Sequence, residues 1–333
     1  MKKIINNPQR FVDEMLDGLL LAHPDQLRAA SADHRALVRA DSPKAGRVGI
    51  VTGGGSGHLP TFLGYVGEGL CSGVAVGNVF SSPSSQQCLD ATRASDGGAG
   101  VLYLFGNYGG DVLNFELAAD MAELEGIRTT TVLVTDDVAS QPKERQADRR
   151  GVAGLFFAYK CAGAAAERGE DLTAVAAAAQ SAVDATRTMG IGLSPTILPT
   201  VGKPTFELGE GEMEIGIGIH GEPGIHRGPL ESADSVVDRL LDPIVADLAL
   251  TAGEQVAVLV NGMGATPLEE LYVMYRRVHA RLTELGIEIQ RCYVGEYATS
   301  LEMAGASISV MRLNAATAEL LAAPARSPFF EQR

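Results

Sequence analysis

Tryptophan is absent and aromatic residues make up only 5% of the chain, so the interior must be packed mainly by aliphatic and small side chains. Cysteine is scarce too. Cys71, Cys88, Cys161 and Cys292 are scattered, with no CxxC and no Cys/His spacing, which excludes a zinc module and a disulfide framework and fits reduced cytosolic thiols. No apolar run reaches the roughly 18 residues of a membrane span, and the polar start MKKIINNPQR is not a secretory signal. Positive charge is in deficit: a net charge of −14 argues against nucleic acid and anionic membranes as partners. The Lys-Ser/Thr of a P-loop is missing, and Gly202-Lys203-Pro204 does not replace it. The Gly53–Pro60 run is not GxGxxG, and it is not a GxSxG nucleophile elbow, since His58 stands two residues after Ser56.

Glycine and hydrophobic residues are plentiful. The 39 glycines cluster in a few runs, and 46% hydrophobic with 20% charged residues suits a globular protein with a real core. A length of 333 residues favours two domains. Spacings of three and four predict a helix over residues 8–22, and Val48–Thr52 reads as a strand running into Gly53-Gly54-Gly55-Ser56-Gly57-His58. Strands are predicted at Val74–Phe80, Gly100–Phe105 and Arg128–Val134, with a helix over Val112–Gly126. Residues 161–190 read as two Ala-rich helices broken at Gly169, and the run at 190–196 as a domain boundary. Beyond it, strands are predicted at Met213–Ile219, Gln255–Asn261, Ile287–Val294 and Ala306–Leu313. Helices are predicted over Ser232–Asp247 and Pro267–Leu285, the second capped by Thr266 with Glu269. The alternation predicts an α/β fold with largely parallel sheets, whose ligands bind beyond the carboxyl ends of strands.

Three polar clusters lie at such ends. GGGSGHLP (Gly53–Pro60) is either an anion nest or a solvated loop, and His58 divides evenly between ligand contact and plain exposure. In GNYGGDVLNFE (Gly106–Glu116), Asp111 reads as a helix N-cap or a functional carboxylate. His220, at the end of a predicted strand and followed by Gly221, Glu222, Pro223 and Gly224, is either satisfied by a backbone carbonyl or open to a ligand. Asp136-Asp137 reads as solvated or capping. It lacks the third ligand a metal would need.

Taken in order, GGGSGH, GNYGGD, RRGVAG at 149, GKPTFEL at 202, GIGIHGEPGI at 216 and NGMGATPLEELY at 261 make the chain resemble the DhaK-type subunit of dihydroxyacetone kinases over essentially its whole length. The resemblance implies two α/β domains, residues 1–190 and 191–333, with mainly parallel or mixed sheets and a ketose site near their interface. It implies that His220 attacks the ketone and holds it as a covalent hemiaminal. His58 and Asp111 would hydrogen-bond the substrate and manage its hydroxyl protons, with His58 favoured as acceptor and the reverse assignment left open. Gly55, Ser56 and Gly57 would offer backbone donors beside Gly106.

No metal or cofactor is expected on this chain. The all-helical nucleotide domain of single-chain members is not in the sequence, so a DhaL-like partner carrying ATP or ADP with Mg is expected, together with a DhaM-like phosphotransferase component. A cytoplasmic homodimer is the expected form. Two departures stand out: Leu59 replaces the acid of GGGSGHEP, and Gly106 replaces a lysine. The second removes a cation and is expected to open space for a larger ketose such as erythrulose. A non-catalytic ketose-binding co-regulator of a transcription factor is the alternative reading, and retention of both His58 and Asp111 argues against it.

Overall fold

A computed structural model describes residues 2–333. The chain opens with α1 (Phe11–Ala22), whose buried face is Val12, Leu16 and Leu19. Then come β1 (Leu27–Ala29), β2 (Ala36–Arg39), β3 (Gly49–Ser56), β4 (Gly73–Val79), α2 (Ser85–Ser95), β5 (Val101–Gly106), α3 (Gly109–Leu124) and β6 (Thr129–Val134). The strands form a six-stranded sheet in the order β1-β2-β4-β3-β5-β6. Its β4-β3-β5-β6 part is parallel, and β2 and β1 complete it as antiparallel strands. Because β3 pairs with β4 on one side and β5 on the other, the winding reverses there. A crevice opens at such a switch point, beyond the carboxyl ends of the strands. The loops after β3 and β5 carry His58 and Asp111.

The second half follows two Ala-rich helices, α4 (Leu155–Glu167) and α5 (Leu172–Ala185). It comprises β7 (Thr186–Ser194), β8 (Glu212–Ile215), β9 (His226–Pro229), α6 (Ala233–Leu248), β10 (Gln255–Gly262), α7 (Leu268–Glu284), β11 (Glu288–Gly295), β12 (Ala304–Leu313) and α8 (Ala315–Ala322). The second six-stranded sheet runs β11-β10-β12-β7-β8-β9, and within it the β10/β11 pair alone is parallel. Small side chains let α4 be buried from Leu155 to Ala166. This helix packs on β3 and β5, while α5 packs on β6 and on β12 of the other sheet. One apolar cluster therefore runs from Leu102 through Phe156 and Ala162 to Leu259 and Met311, tying the two halves together.

Several local expectations change. Residues 186–194 are strand β7, paired with β12, rather than a helix end followed by a boundary. The Ala-rich periodicity ends at Ala185, and ladder pairing with a distant strand takes over from local propensity. The predicted strand at Met213–Ile219 stops at Ile215 because Gly216 adopts φ +80°. His220 consequently lies in a loop. Thr266 does not cap α7: Pro267 occupies the cap position, and the Thr266 hydroxyl donates to Gly305 O at 2.7 Å. Asp136 and Asp137 are buried, not solvated. Asp136 accepts from the backbone of Val152 and Gly154, each at 2.8 Å, and Asp137 pairs with Arg150.

Candidate active site

The loop after β3 is built around a turn only glycine makes easily. Gly57 has φ +105°, and a Cβ there would lie 2.8 Å from Phe80 Cε1. The turn carries His58 inward, to 1% exposure. His58 Nδ1 lies 2.7 Å from the carbonyl of Thr299. A carbonyl only accepts, so Nδ1 bears the proton and Nε2 the lone pair. The surrounding backbone is tied to the same distant loop: Leu301 N donates to Gly57 O at 2.7 Å and Thr299 N to His58 O at 3.2 Å. Burial, reinforced by the neighbouring His220, pushes the His58 pKa down to about 3, so the ring is neutral at physiological pH.

Phe80, itself at φ +54°, stacks on His58 with centroids 4.8 Å apart and ring planes 13° apart. The loop after β5 delivers Asp111 in the first turn of α3. The Ser82 side chain acts to lower the pKa of this carboxylate, yet the Asp111 Oδ1 is buried without a partner. Burial lifts its pKa to about 6, against the opposing pull of Ser82 and His220. The Tyr108 ring meets His220 edge-on at 5.0 Å, and its hydroxyl is likewise buried and unpartnered. At Gly106 a Cβ would lie 3.2 Å from both Gly151 O and Tyr108 Cε2. The Tyr108 ring and the Gly151 backbone thus crowd the first atom of any side chain at this position.

His220 enters from the loop after β8. Its side chain is 25% exposed, and its ring meets His58 at 4.9 Å and Phe80 at 5.1 Å, both edge-on. Its Nδ1 lies 2.9 Å from Glu222 Oε1, while its backbone N–H donates to Glu222 Oε2 at 2.9 Å. Burial works against the Glu222 charge, but the hydrogen bond from His220, aided by Arg150, holds its pKa at about 2. An ionised carboxylate only accepts, so Nδ1 is the donor, and in the neutral ring Nε2 keeps a lone pair.

The fold therefore brings His58 and His220 into ring contact and sets Asp111 near enough for His220 to act on its pKa. His58 Nε2, Asp111 Oδ1 and the Tyr108 hydroxyl are all buried without a protein partner. Leaving a buried polar group unpaired costs about 1–3 kcal/mol, so such atoms grouped around one histidine form a candidate site for a polar ligand that would pair them. Of the proposed backbone donors, Gly55 lies hard against the Phe80–Ser81 backbone, and the Ser56 hydroxyl is engaged by Gly77 O at 2.9 Å. Among the described residues no cluster of three or more His, Cys, Asp or Glu is arranged for a metal. A cavity of about 400 Å³ beside Asp25, Arg39, Asp41 and Arg326 contains none of the site groups, and Arg39 there is already paired with Asp41 and Glu167. Sequence reasoning does not find Phe80, Ser82 or the 297–301 loop, which show no motif of their own. It registers Glu222 only as a neighbour of His220.

Residues 17–329 match the Dak1 domain family. The chain is 46% identical to the dihydroxyacetone-binding subunit DhaK of PTS-dependent dihydroxyacetone kinase 2 from Listeria innocua, over 99% of both chains. It is 40% identical to the dihydroxyacetone-binding subunit DhaK of the PEP-dependent dihydroxyacetone kinase from Escherichia coli, over 98% of each. Identity with a D-erythrulose kinase of Mycolicibacterium smegmatis is 42%, over all of this chain and 57% of that protein. Among solved structures, the dihydroxyacetone kinase of C. freundii superposes with a TM-score of 0.91 at 31% identity, covering 99% of this chain and 60% of that one. The dihydroxyacetone kinase operon co-activator DhaQ superposes with a TM-score of 0.90 at 31% identity, covering 96% of this chain and 99% of that one. A match spanning most of the chain, with 40–46% identity end to end, places this protein in the Dak1 domain family, among the dihydroxyacetone-binding DhaK subunits of dihydroxyacetone kinases.

Proposed function

We propose that the chain is the ketose-holding subunit of a split kinase, in which His220 Nε2 bonds covalently to the ketone carbon and Asp111 takes the proton of the hydroxyl being phosphorylated. The observation that carries this reading is the group of unpartnered buried polar atoms (His58 Nε2, Asp111 Oδ1, Tyr108 hydroxyl) around a histidine whose own Nε2 is free to attack. A neutral imidazole is a competent nucleophile, and a polyol without a carbonyl offers it nothing to attack. With its pKa raised to about 6, Asp111 is ionised at neutral pH and a stronger base than an ordinary carboxylate. His58, pushed to about 3, is too weak a base to hold that proton and instead accepts a hydrogen bond from the ketose. These shifts support Asp111, rather than His58, as the acceptor.

The phosphoryl group comes from a DhaL-like subunit that carries ATP or ADP with Mg, recharged by a DhaM-like component in a phosphotransferase arrangement. Relatives named PTS-dependent and PEP-dependent support that donor. Dihydroxyacetone is the first substrate candidate, and relatives named erythrulose kinases support testing the four-carbon ketose. A homodimer in the cytoplasm belongs to the same reading. Three buried free thiols suit a reducing compartment, and no described helix is long and apolar enough to cross a membrane.

Crystals soaked separately with dihydroxyacetone, L-erythrulose and D-erythrulose test the trap. Continuous density from His220 Nε2 to a ketose carbon supports it. Ordered His58 and Asp111 with no adduct from any of the three rejects it. A second reading, a ketose-binding co-activator, draws support from the end-to-end likeness to DhaQ. Phosphoryl transfer to the ketose in the presence of a DhaL-like subunit and nucleotide would exclude it as the sole role.

A further inference from the structure

We propose that Glu222 is the positioning residue of the trap: it holds His220 with the proton on Nδ1, presents the Nε2 lone pair to the ketone carbon, and balances the charge the ring acquires on attack. The proposal rests on the hemiaminal reading above. Glu222 grips His220 at two points, taking the ring Nδ1–H on Oε1 and the backbone N–H on Oε2, each at 2.9 Å. Ring orientation and backbone position are thereby set by one carboxylate. The intervening turn is closed by Gly218 N donating to Glu222 O and Gly221 N to Gly218 O, both at 3.0 Å.

Behind Glu222 stands a second ion pair. Arg150 Nη1 lies 3.8 Å from Glu222 Oε2, and Arg150 is bound in turn by Asp137 at 2.8 Å. Asp137 is itself held by the Ala139 N–H at 3.0 Å. Gly218 leaves room for this arrangement: a Cβ there would lie 2.5 Å from Arg150 Nη1 and would collide with Glu222 Oε2. A glycine without a turn requirement at that position is explained by the carboxylate–guanidinium pair packed over it.

The chemistry balances without a co-reactant beyond solvent. The Nε2 lone pair forms the N–C bond, the carbonyl π pair moves to oxygen, and that oxygen takes one proton from solvent. Nothing is oxidised and nothing leaves. The ring becomes an imidazolium whose Nδ1–H faces the Glu222 carboxylate, the arrangement by which a buried acid stabilises a protonated histidine in hydrolytic triads.

The test is nitrogen-15 NMR of the labelled full-length protein, with the His220 signals assigned from a His220→Gln variant, together with titration of the adduct by dihydroxyacetone. Wild type is expected to carry its neutral ring proton on Nδ1. Glu222→Ala should redistribute the proton toward Nε2 and weaken the adduct by about 10- to 100-fold. Glu222→Gln, whose amide oxygen still accepts from Nδ1, should retain the tautomer while weakening the adduct, which separates orientation from charge balance. A wild-type ring protonated on Nε2, or Glu222 variants with unchanged tautomer and adduct affinity, overturns the proposal. If wild type shows the Nδ1 tautomer yet no ketose forms an adduct, the hemiaminal reading falls, and the tautomer shift in Glu222→Ala still decides whether Glu222 positions the ring.

Discussion

His58 and His220 are ring neighbours at 4.9 Å, yet the loops that carry them prepare opposite chemistry. The first-half loop buries His58 and gives its Nδ1 a backbone carbonyl, a dipole that fixes the tautomer but cannot balance a positive charge. Burial then drives its pKa to about 3. The second-half loop leaves His220 25% exposed and gives its Nδ1 a carboxylate, which fixes the same tautomer and can also bear the charge of an imidazolium. In the proposed function one ring serves as a hydrogen-bond acceptor and the other as a nucleophile. The partner on Nδ1, rather than the histidine itself, assigns the role.

Replacing the nucleophile should break this contrast most severely. His220→Gln is expected to abolish the ketose adduct and reduce kcat/KM by at least about 10³-fold in a coupled assay with the nucleotide-bearing subunit. Turnover close to wild type would mean that the covalent bond is dispensable.

Asp111→Asn comes next, with kcat down about 10²- to 10⁴-fold. Wild-type activity should fall as pH drops through about 6, because the carboxylate then takes up a proton, and the variant should lose that limb. Stability should move the other way. Burial raises the folded-state pKa from 3.8 to about 6, so the stability this group contributes is fully present below pH 3.8 and lost as pH rises through 6. At pH 7 the buried charge is a burden, and Asp111→Asn should raise the stability to denaturant by about 1–3 kcal/mol. A variant that loses activity and stability together would contradict the assignment.

His58→Asn should raise KM by about 10-fold with a smaller effect on kcat, since it removes an acceptor and the stack on Phe80 rather than the base. If instead it erased the pH limb near 6, the roles of the two residues would have to be exchanged. The smallest effect is expected from Gly57→Ala. A left-handed alanine against Phe80 should cost about 1–3 kcal/mol of stability, visible as a lower Tm, and should disturb His58 more than the His220–Glu222 contact.

Much of the first sheet is legible in the sequence. VGIVT and GVLYLF are apolar runs bounded by glycine, so buried parallel strands follow from composition and punctuation. The glycines after them mark the site-bearing loops. Less is legible where long-range pairing decides. TRTMGIGLS becomes β7 because β12 lies beside it, and β1, β2 and α2 receive no reading because their local patterns are weak. Ile217 and Ile219 continue the alternation of β8 and are buried like strand residues, yet the positive φ of Gly216 has already ended the strand. At the site, His58, Asp111 and His220 are recognisable from their motifs. Phe80, Ser82 and Thr299 are not, since each acts through a contact that only the folded chain creates.

By itself the sequence determined most of the first-sheet strands, the glycine loops at the ends of strands, and the motifs that carry the two histidines and the aspartate. Those are local properties, set by side-chain periodicity and by where the backbone can turn. The tertiary structure decided what these residues can do. It buried His58 against a carbonyl 241 residues away, gave His220 a charged partner backed by Arg150 and Asp137, and raised the Asp111 pKa to about 6. Tautomer and basicity depend on desolvation and on the groups brought within hydrogen-bond reach, and folding alone sets both.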